Sequence, residues 1–208
     1  DSLEIQFQKV SEVMSRKWPN CKYIAYFQAY TNTYGPIEKL KECFEPFVNK
    51  ENVVGIDIAT RPDCLSEEIL DYLYDLSLRT DLFVELGLQT IHQKTADWFH
   101  RGYDLSTFDT ALEALRKRKI NVCVHVINGL PHESYEMMLD TVKYLGKKDI
   151  QGIKIHNLYV YKDSSIEKYM NENGAFDITK CNLIAYANGK YFEMGKQMGT
   201  FGYSVKKK

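Results

Sequence analysis

Ionisable side chains are scarce inside β-like runs, yet this sequence places five there: Asp57, Glu85, His125, Lys154 and His156. Two carboxylates and two imidazoles can ligate a cation, pass protons, or bind a polar ligand by hydrogen bonds. Further polar residues stand at the downstream ends of the same runs: Gln28, Thr31, Thr60, Arg61, Asp63, Gln89 and Asn128. Each has a plainer reading by itself. Asp57 with Lys154 can be an ion pair that only sets register. A lone His125 or His156 is commonly a hydrogen-bonded core residue. Arg61-Pro62-Asp63 can be a turn with a local salt bridge. Tyr26, Phe27, Tyr30 and Tyr34 read as packing residues rather than stacking platforms. The recurrence of polar groups at one end of five successive runs is more specific than any member of the set.

The runs that must position these groups are Tyr23–Gln28, Val53–Thr60, Leu82–Leu88, Val122–Ile127 and Gly152–Leu158. Helical periods follow them at Pro36–Val48, Ser66–Leu78, Ser106–Lys119 and Ser134–Lys147. Ser66 is a natural N-cap, with Glu67 and Glu68 on the positive end of the helix dipole. Further helices are expected at Leu3–Trp18 and Lys180–Met198. Strands recur every thirty or so residues, about one βαβ unit, which implies a parallel sheet. No linker of domain-boundary length interrupts the pattern, so residues 1–208 read as one domain.

Period-2 alternation groups Asp57 with Ala59 and Arg61, and Glu85 with Gly87 and Gln89. It also groups Cys123, His125, Ile127 and Gly129, then Lys154, His156 and Leu158. A doubly wound sheet would bury these ionisable groups under helices at high cost. A barrel instead gathers them in a lumen and places its site at the C-terminal strand ends. Five strands are too few for a closed eight-stranded barrel. The expected fold is therefore α/β, a partial TIM-like barrel of parallel strands flanked by helices.

Among 208 residues, 27 Lys+Arg face 28 Asp+Glu, a net charge of −1 that argues against a dedicated nucleic-acid or membrane-surface binder. No apolar run approaches the ~18–20 residues of a membrane span. The opening DSLEIQFQ is no secretory signal, and without an initiator Met it suggests that residues precede it. Cys21, Cys43, Cys64, Cys123 and Cys181 form no CxxC pair, which fits reduced thiols in the cytoplasm better than disulfides or structural zinc.

Six stretches carry a resemblance: AYFQAYTNTY (25–34), IATRPDCL (58–65), VELGLQTIHQKT (84–95), RGYD (101–104), CVHVINGLPHES (123–134) and GIKIHNL (152–158). In order and spacing they resemble the radical S-adenosylmethionine (radical SAM) superfamily. The likeness is to its YhcC-like Fe–S oxidoreductase branch, related to the Elongator catalytic subunit and the oxygen-independent coproporphyrinogen dehydrogenases. The resemblance implies a partial (βα)6 barrel, with this chain supplying strands two to six. It implies S-adenosylmethionine and a [4Fe–4S] cluster as cofactors, and reductive cleavage to a 5′-deoxyadenosyl radical. The family's cluster is held by CxxxCxxC after strand one. That motif is absent here, so a chain lacking its N-terminal part, without cluster or cleavage activity, is expected.

By the same resemblance, Gln28, Tyr30, Thr31 and Asn32 would meet the methionine amino group, and Glu85 and His125 the ribose. Arg101 would take the methionine carboxylate, although His100 and Tyr103 depart from the family's NRGH pattern. Gly129 with Leu130 and Pro131, and His156 with Asn157 and Leu158, would border adenine. Thr60, Arg61 and Asp63 form a substrate-side or cofactor-side element, and Gln89 and Asn128 complete the cofactor-binding set. The implied partners are an electron donor such as flavodoxin or ferredoxin, a tRNA or small-molecule substrate, and a second copy at the open strand edge. Two other readings stand beside this one. One is a metal-dependent barrel hydrolase using Asp57, Glu85, His125 and His156, although HxH and HExxH spacings are lacking and Lys154 would oppose a cation. The other is a non-catalytic binding scaffold.

Overall fold

Period-2 burial runs through the third strand, where Leu82, Val84, Leu86 and Leu88 are buried while Phe83, Gly87 and Gln89 are half-exposed, and buried Glu85 breaks the alternation. A computed structural model describes residues 2–158, 164–173, 183–187 and 190–194. Helix α1 (Leu3–Lys17) leads into β1 (Tyr23–Phe27), α2 (Ile37–Phe44), β2 (Val53–Thr60), α3 (Glu67–Ser77) and β3 (Asp81–Gln89). The chain continues through α4 (Gln93–Trp98), α5 (Leu105–Lys117), β4 (Asn121–Asn128), α6 (Tyr135–Leu145), β5 (Gly152–Asn157) and α7 (Ser165–Asn173). The strands form one sheet in the order β1-β2-β3-β4-β5. Successive parallel strands with helices between them give an α/β, partial TIM-like fold, as the sequence leads one to expect.

Two compact units are distinguished: residues 1–87 with 106–123, and residues 88–105 with 124–208. In the first, β1 pairs with β2 so that Tyr26 lies beside Asp57, and β2 pairs with β3 so that Ala59 lies beside Glu85. Gly55 lies beside Asp81, and a Cβ there would stand 2.7 Å from the Asp81 carbonyl oxygen. Only glycine lets the strands approach this closely. Phe27 packs edge-on against Phe44 and Phe47, and Phe7 of α1 against Tyr23 and Phe47. The Ser66 hydroxyl caps α3 by accepting from the Ile69 N–H, as expected. Helix α2 gives way at Glu45–Phe47 to a 3-10 turn, because Pro46 has no N–H to continue the α-helical ladder. In the second unit, Ser134 caps α6 in the same manner as Ser66.

The C-terminal expectation requires correction. In place of a helix over 180–198, β6 (Leu183–Ala187) and β7 (Lys190–Met194) form an antiparallel pair, Leu183 opposite Met194 and Ala187 opposite Lys190. The sequence between them is Asn188-Gly189, a strong signal for a two-residue hairpin. The β-branched and aromatic residues on both sides, Ile184, Tyr186, Tyr191 and Phe192, suit strands. Residues 180–182 and 195–198 of the expected helix lie outside those described.

Candidate functional site

In the first unit the chain leaves β1 through Gln28, Ala29 and Tyr30, all exposed. Tyr30 is left-handed (φ 62°) and 99% exposed, so no burial of its own offsets a strain of about 1–2 kcal/mol. The residues just after it hold the loop. The Asn32 side-chain amide donates to the carbonyls of Phe27 and Ala59, both at 2.9 Å, and its backbone N–H donates to Ala59 at 3.2 Å. Buried Thr33 donates its hydroxyl proton to the Cys64 carbonyl at 2.6 Å. It therefore accepts from the Thr60 hydroxyl, 2.5 Å away. The loops after β1 and β2 are thus tied together. Asn32 and Thr60, both expected to contact the cofactor, serve this tie, while Gln28 and Tyr30 are displayed by it and Thr31 is half-buried.

Arg61 holds Asp63 with two parallel bonds, Nε–Oδ1 at 2.9 Å and Nη2–Oδ2 at 2.7 Å. This pairing keeps the Asp63 carboxyl below its usual range against the opposing effect of burial. The neighbouring Cys64 thiol is pushed upward by burial, which disfavours a reactive thiolate.

Glu85 is only 3% exposed and accepts the Tyr26 hydroxyl at 2.5 Å. Burial, then the bond to Glu85, raises the Tyr26 phenol far above its ordinary range, so it remains a donor. Sequence reasoning set Tyr26 aside as packing. The missed signal is its place on the Asp57 and Glu85 face, which the sheet register makes visible.

In the second unit, β3 ends on Gln89, also left-handed at φ 62°, whose side-chain oxygen accepts from the Tyr103 hydroxyl at 3.1 Å. Arg101 is 4% exposed. Its Nε donates to the Tyr103 carbonyl at 3.0 Å and its Nη1 to those of Leu88 and Thr90 at 2.9 and 2.7 Å. Its Nη2 donates to Gln93 at 3.2 Å, and the guanidinium lies over the Tyr103 ring. Burial draws the Arg101 pKa downward, and the nearby charges of Tyr103, Asp97 and Asp104 oppose it. Four of its five N–H donors are used inside the loop. That leaves no parallel pair for a bidentate carboxylate, so the geometry makes Arg101 a loop clamp.

Glu133, absent from the expected set, accepts the buried Thr90 hydroxyl, which itself accepts from the His92 N–H. Burial raises the Glu133 carboxyl, with Thr90, His92 and Thr95 opposing. Gly129, left-handed at φ 82°, follows β4, and the buried Asn128 accepts through its carbonyl from the Leu158 N–H at 3.0 Å. The His125 and His156 rings have centroids 5.0 Å apart.

Among the described residues, no three or more His, Cys, Asp or Glu are placed to hold a metal ion. The metal site that the hydrolase reading requires is not found among the described residues. S-adenosylmethionine fits better in its chemistry, since its ribose supplies hydroxyl donors and buried Glu85 already accepts one from a phenol.

The chain matches the model of the radical SAM superfamily over residues 6–145. It is 49% identical to YtqA of Bacillus subtilis over 168 residues, covering 81% of this chain and 52% of that protein. It is 36% identical to YhcC of Escherichia coli over 148 residues, covering 71% and 48%. A solved structure of archaeal Elp3 from Methanocaldococcus infernus, with an N-terminal deletion, superposes with a TM-score of 0.66 at 20% identity. That match covers 85% of this chain and 48% of the archaeal one, and it supports the same fold. The chain spans about half the length of the curated relatives it matches. With a family match across most of the sheet, and polar residues at its strand ends, the chain belongs to the radical SAM superfamily.

Proposed function

We propose that this chain is the S-adenosylmethionine-binding barrel of a radical SAM Fe–S oxidoreductase. The observation that carries the reading is the buried carboxylate of Glu85, 3% exposed, which accepts a hydroxyl from Tyr26. A carboxylate so placed can accept from the vicinal hydroxyls of a ribose. In this reading Gln28, Tyr30 and Thr31 meet the amino group, held in place by Asn32 and Thr60. Glu85 and His125 take the ribose. Gln89, clamped by Arg101 and Tyr103, and Asn128, Gly129, His156 and Leu158 border the adenosine. Arg61 and Asp63 face substrate.

In the superfamily, a 5′-deoxyadenosyl radical arises when a [4Fe–4S] cluster reduces S-adenosylmethionine. The cysteines of residues 1–208 do not fit such a cluster, so the activity proposed for this chain itself is cofactor binding without cleavage. The reading adds a cytoplasmic electron donor such as flavodoxin or ferredoxin. The substrate is a tRNA or a small molecule, and a homodimer through the β1 edge belongs to the same reading.

The test is anaerobic reconstitution with iron and sulfide, followed by calorimetry with S-adenosylmethionine. Binding at micromolar affinity with no stoichiometric iron and no 5′-deoxyadenosine is the expected result. Stoichiometric zinc or iron uptake without S-adenosylmethionine binding overturns it.

A further inference from the structure

The inner face of β1, β2 and β3 carries a connection that no local pattern announces. Tyr26 lies beside Asp57, and Ala59, two residues further along β2, lies beside Glu85. To reach Glu85 the Tyr26 side chain must cross β2 diagonally, over the position of Ala59. A small residue at that position leaves the phenol a path. The hydroxyl ends 2.5 Å from Glu85 Oε2.

The two partners are unequally accessible. Glu85 is almost wholly buried, whereas Tyr26 is 41% exposed. An ionised carboxylate is an acceptor only, so whatever it binds must bring O–H or N–H donors. One of its partners is the Tyr26 hydroxyl. Burial, and then the bond to Glu85, raises the pKa of the phenol, so it stays a donor. It also orients the carboxylate.

We propose that Tyr26 is a positioning residue that holds buried Glu85 as an oriented acceptor for the paired hydroxyls of a ribose-bearing ligand. The proposal rests on the function proposed above and adds the residue that sets preference for the diol. It assigns Tyr26 no part in bond making or breaking. The half-exposed ring borders the ligand while its hydroxyl addresses the carboxylate.

The test compares adenosine with 2′,3′-dideoxyadenosine by calorimetry on the wild-type chain, Tyr26→Phe and Glu85→Gln, with S-adenosylmethionine titrated in parallel. Hydrogen bonds to a charged group predict roughly a tenfold or greater wild-type preference for adenosine. Tyr26→Phe keeps the ring and should lose most of that preference, with dideoxyadenosine affinity unchanged. Glu85→Gln should lose it as well. Far-UV circular dichroism verifies that each variant is folded. A purely structural Tyr26 would weaken both nucleosides equally and leave their ratio intact, which overturns the proposal. A Tyr26→Phe variant of full preference, or a wild type without any, overturns it too. Titration of S-adenosylmethionine decides the proposed function separately, because that reading survives any nucleoside ratio if the cofactor binds.

Discussion

Two side chains expected to meet a ligand spend their hydrogen bonds on peptide carbonyls. Asn32 joins the ends of β1 and β2, and Arg101 organises the loop after β3. Both positions are legible in the sequence, but their roles are not, because a donor's target depends on which carbonyls the fold brings near. Tyr26 shows the converse: its chemistry depends on a carboxylate two strands away. Glu133 adds a pH signature at this scale. Its carboxyl is raised above the ordinary value of 4.5, so the folded state binds its proton more tightly than the unfolded state does. Stability from this group is therefore present below about 4.5 and declines as pH rises through the raised value. Urea denaturation from acid to neutral pH should show Glu133→Gln gaining on wild type as pH rises. Parallel curves would count against it.

Elements were easier to foresee than contacts. Ser66 and Ser134 cap the helices they precede, and the five strands of the sheet lie close to their expected bounds, since burial periodicity and capping are local properties. The hairpin of β6 and β7 was missed because the run from Lys180 to Met198 also supports a helical period. The Asn188-Gly189 signal should have outweighed it. Close approach of strands is another local fact hidden until pairing is known. Gly55→Ala would place a methyl 2.7 Å from the Asp81 carbonyl oxygen, forcing β2 and β3 apart. The expected cost is about 1–3 kcal/mol, typical of overpacking, read from the midpoint of chemical denaturation. A change within about 0.5 kcal/mol, typical of neutral surface substitutions, would mean that the strands separate freely.

The molecule as a whole shows its fold in its charge and periodicity more readily than its partners. Near-balance of 27 basic and 28 acidic residues gives no independent support for RNA, and the substrate must be read from chemistry at the strand ends. Strand β1 forms one end of the sheet, with Ile24 exposed on it and Val54 exposed on β2. Such an edge favours self-association. Light scattering over a concentration series should give a mass above the monomer for wild type and a lower one for Ile24→Lys. A monomeric wild type at the highest concentration removes the homodimer from the proposal. The order β1-β2-β3-β4-β5 has a further consequence. Within this sheet each strand lies beside the one that follows it in sequence, so none must be threaded between two already paired. Each new pairing closes a short helical connection, of one α-helix except between β3 and β4, where there are two, and closure entropy grows slowly with loop length. The chain can therefore accrete its sheet in the order of its synthesis on the ribosome, and a pause at any unit boundary leaves paired strands behind it rather than a gap.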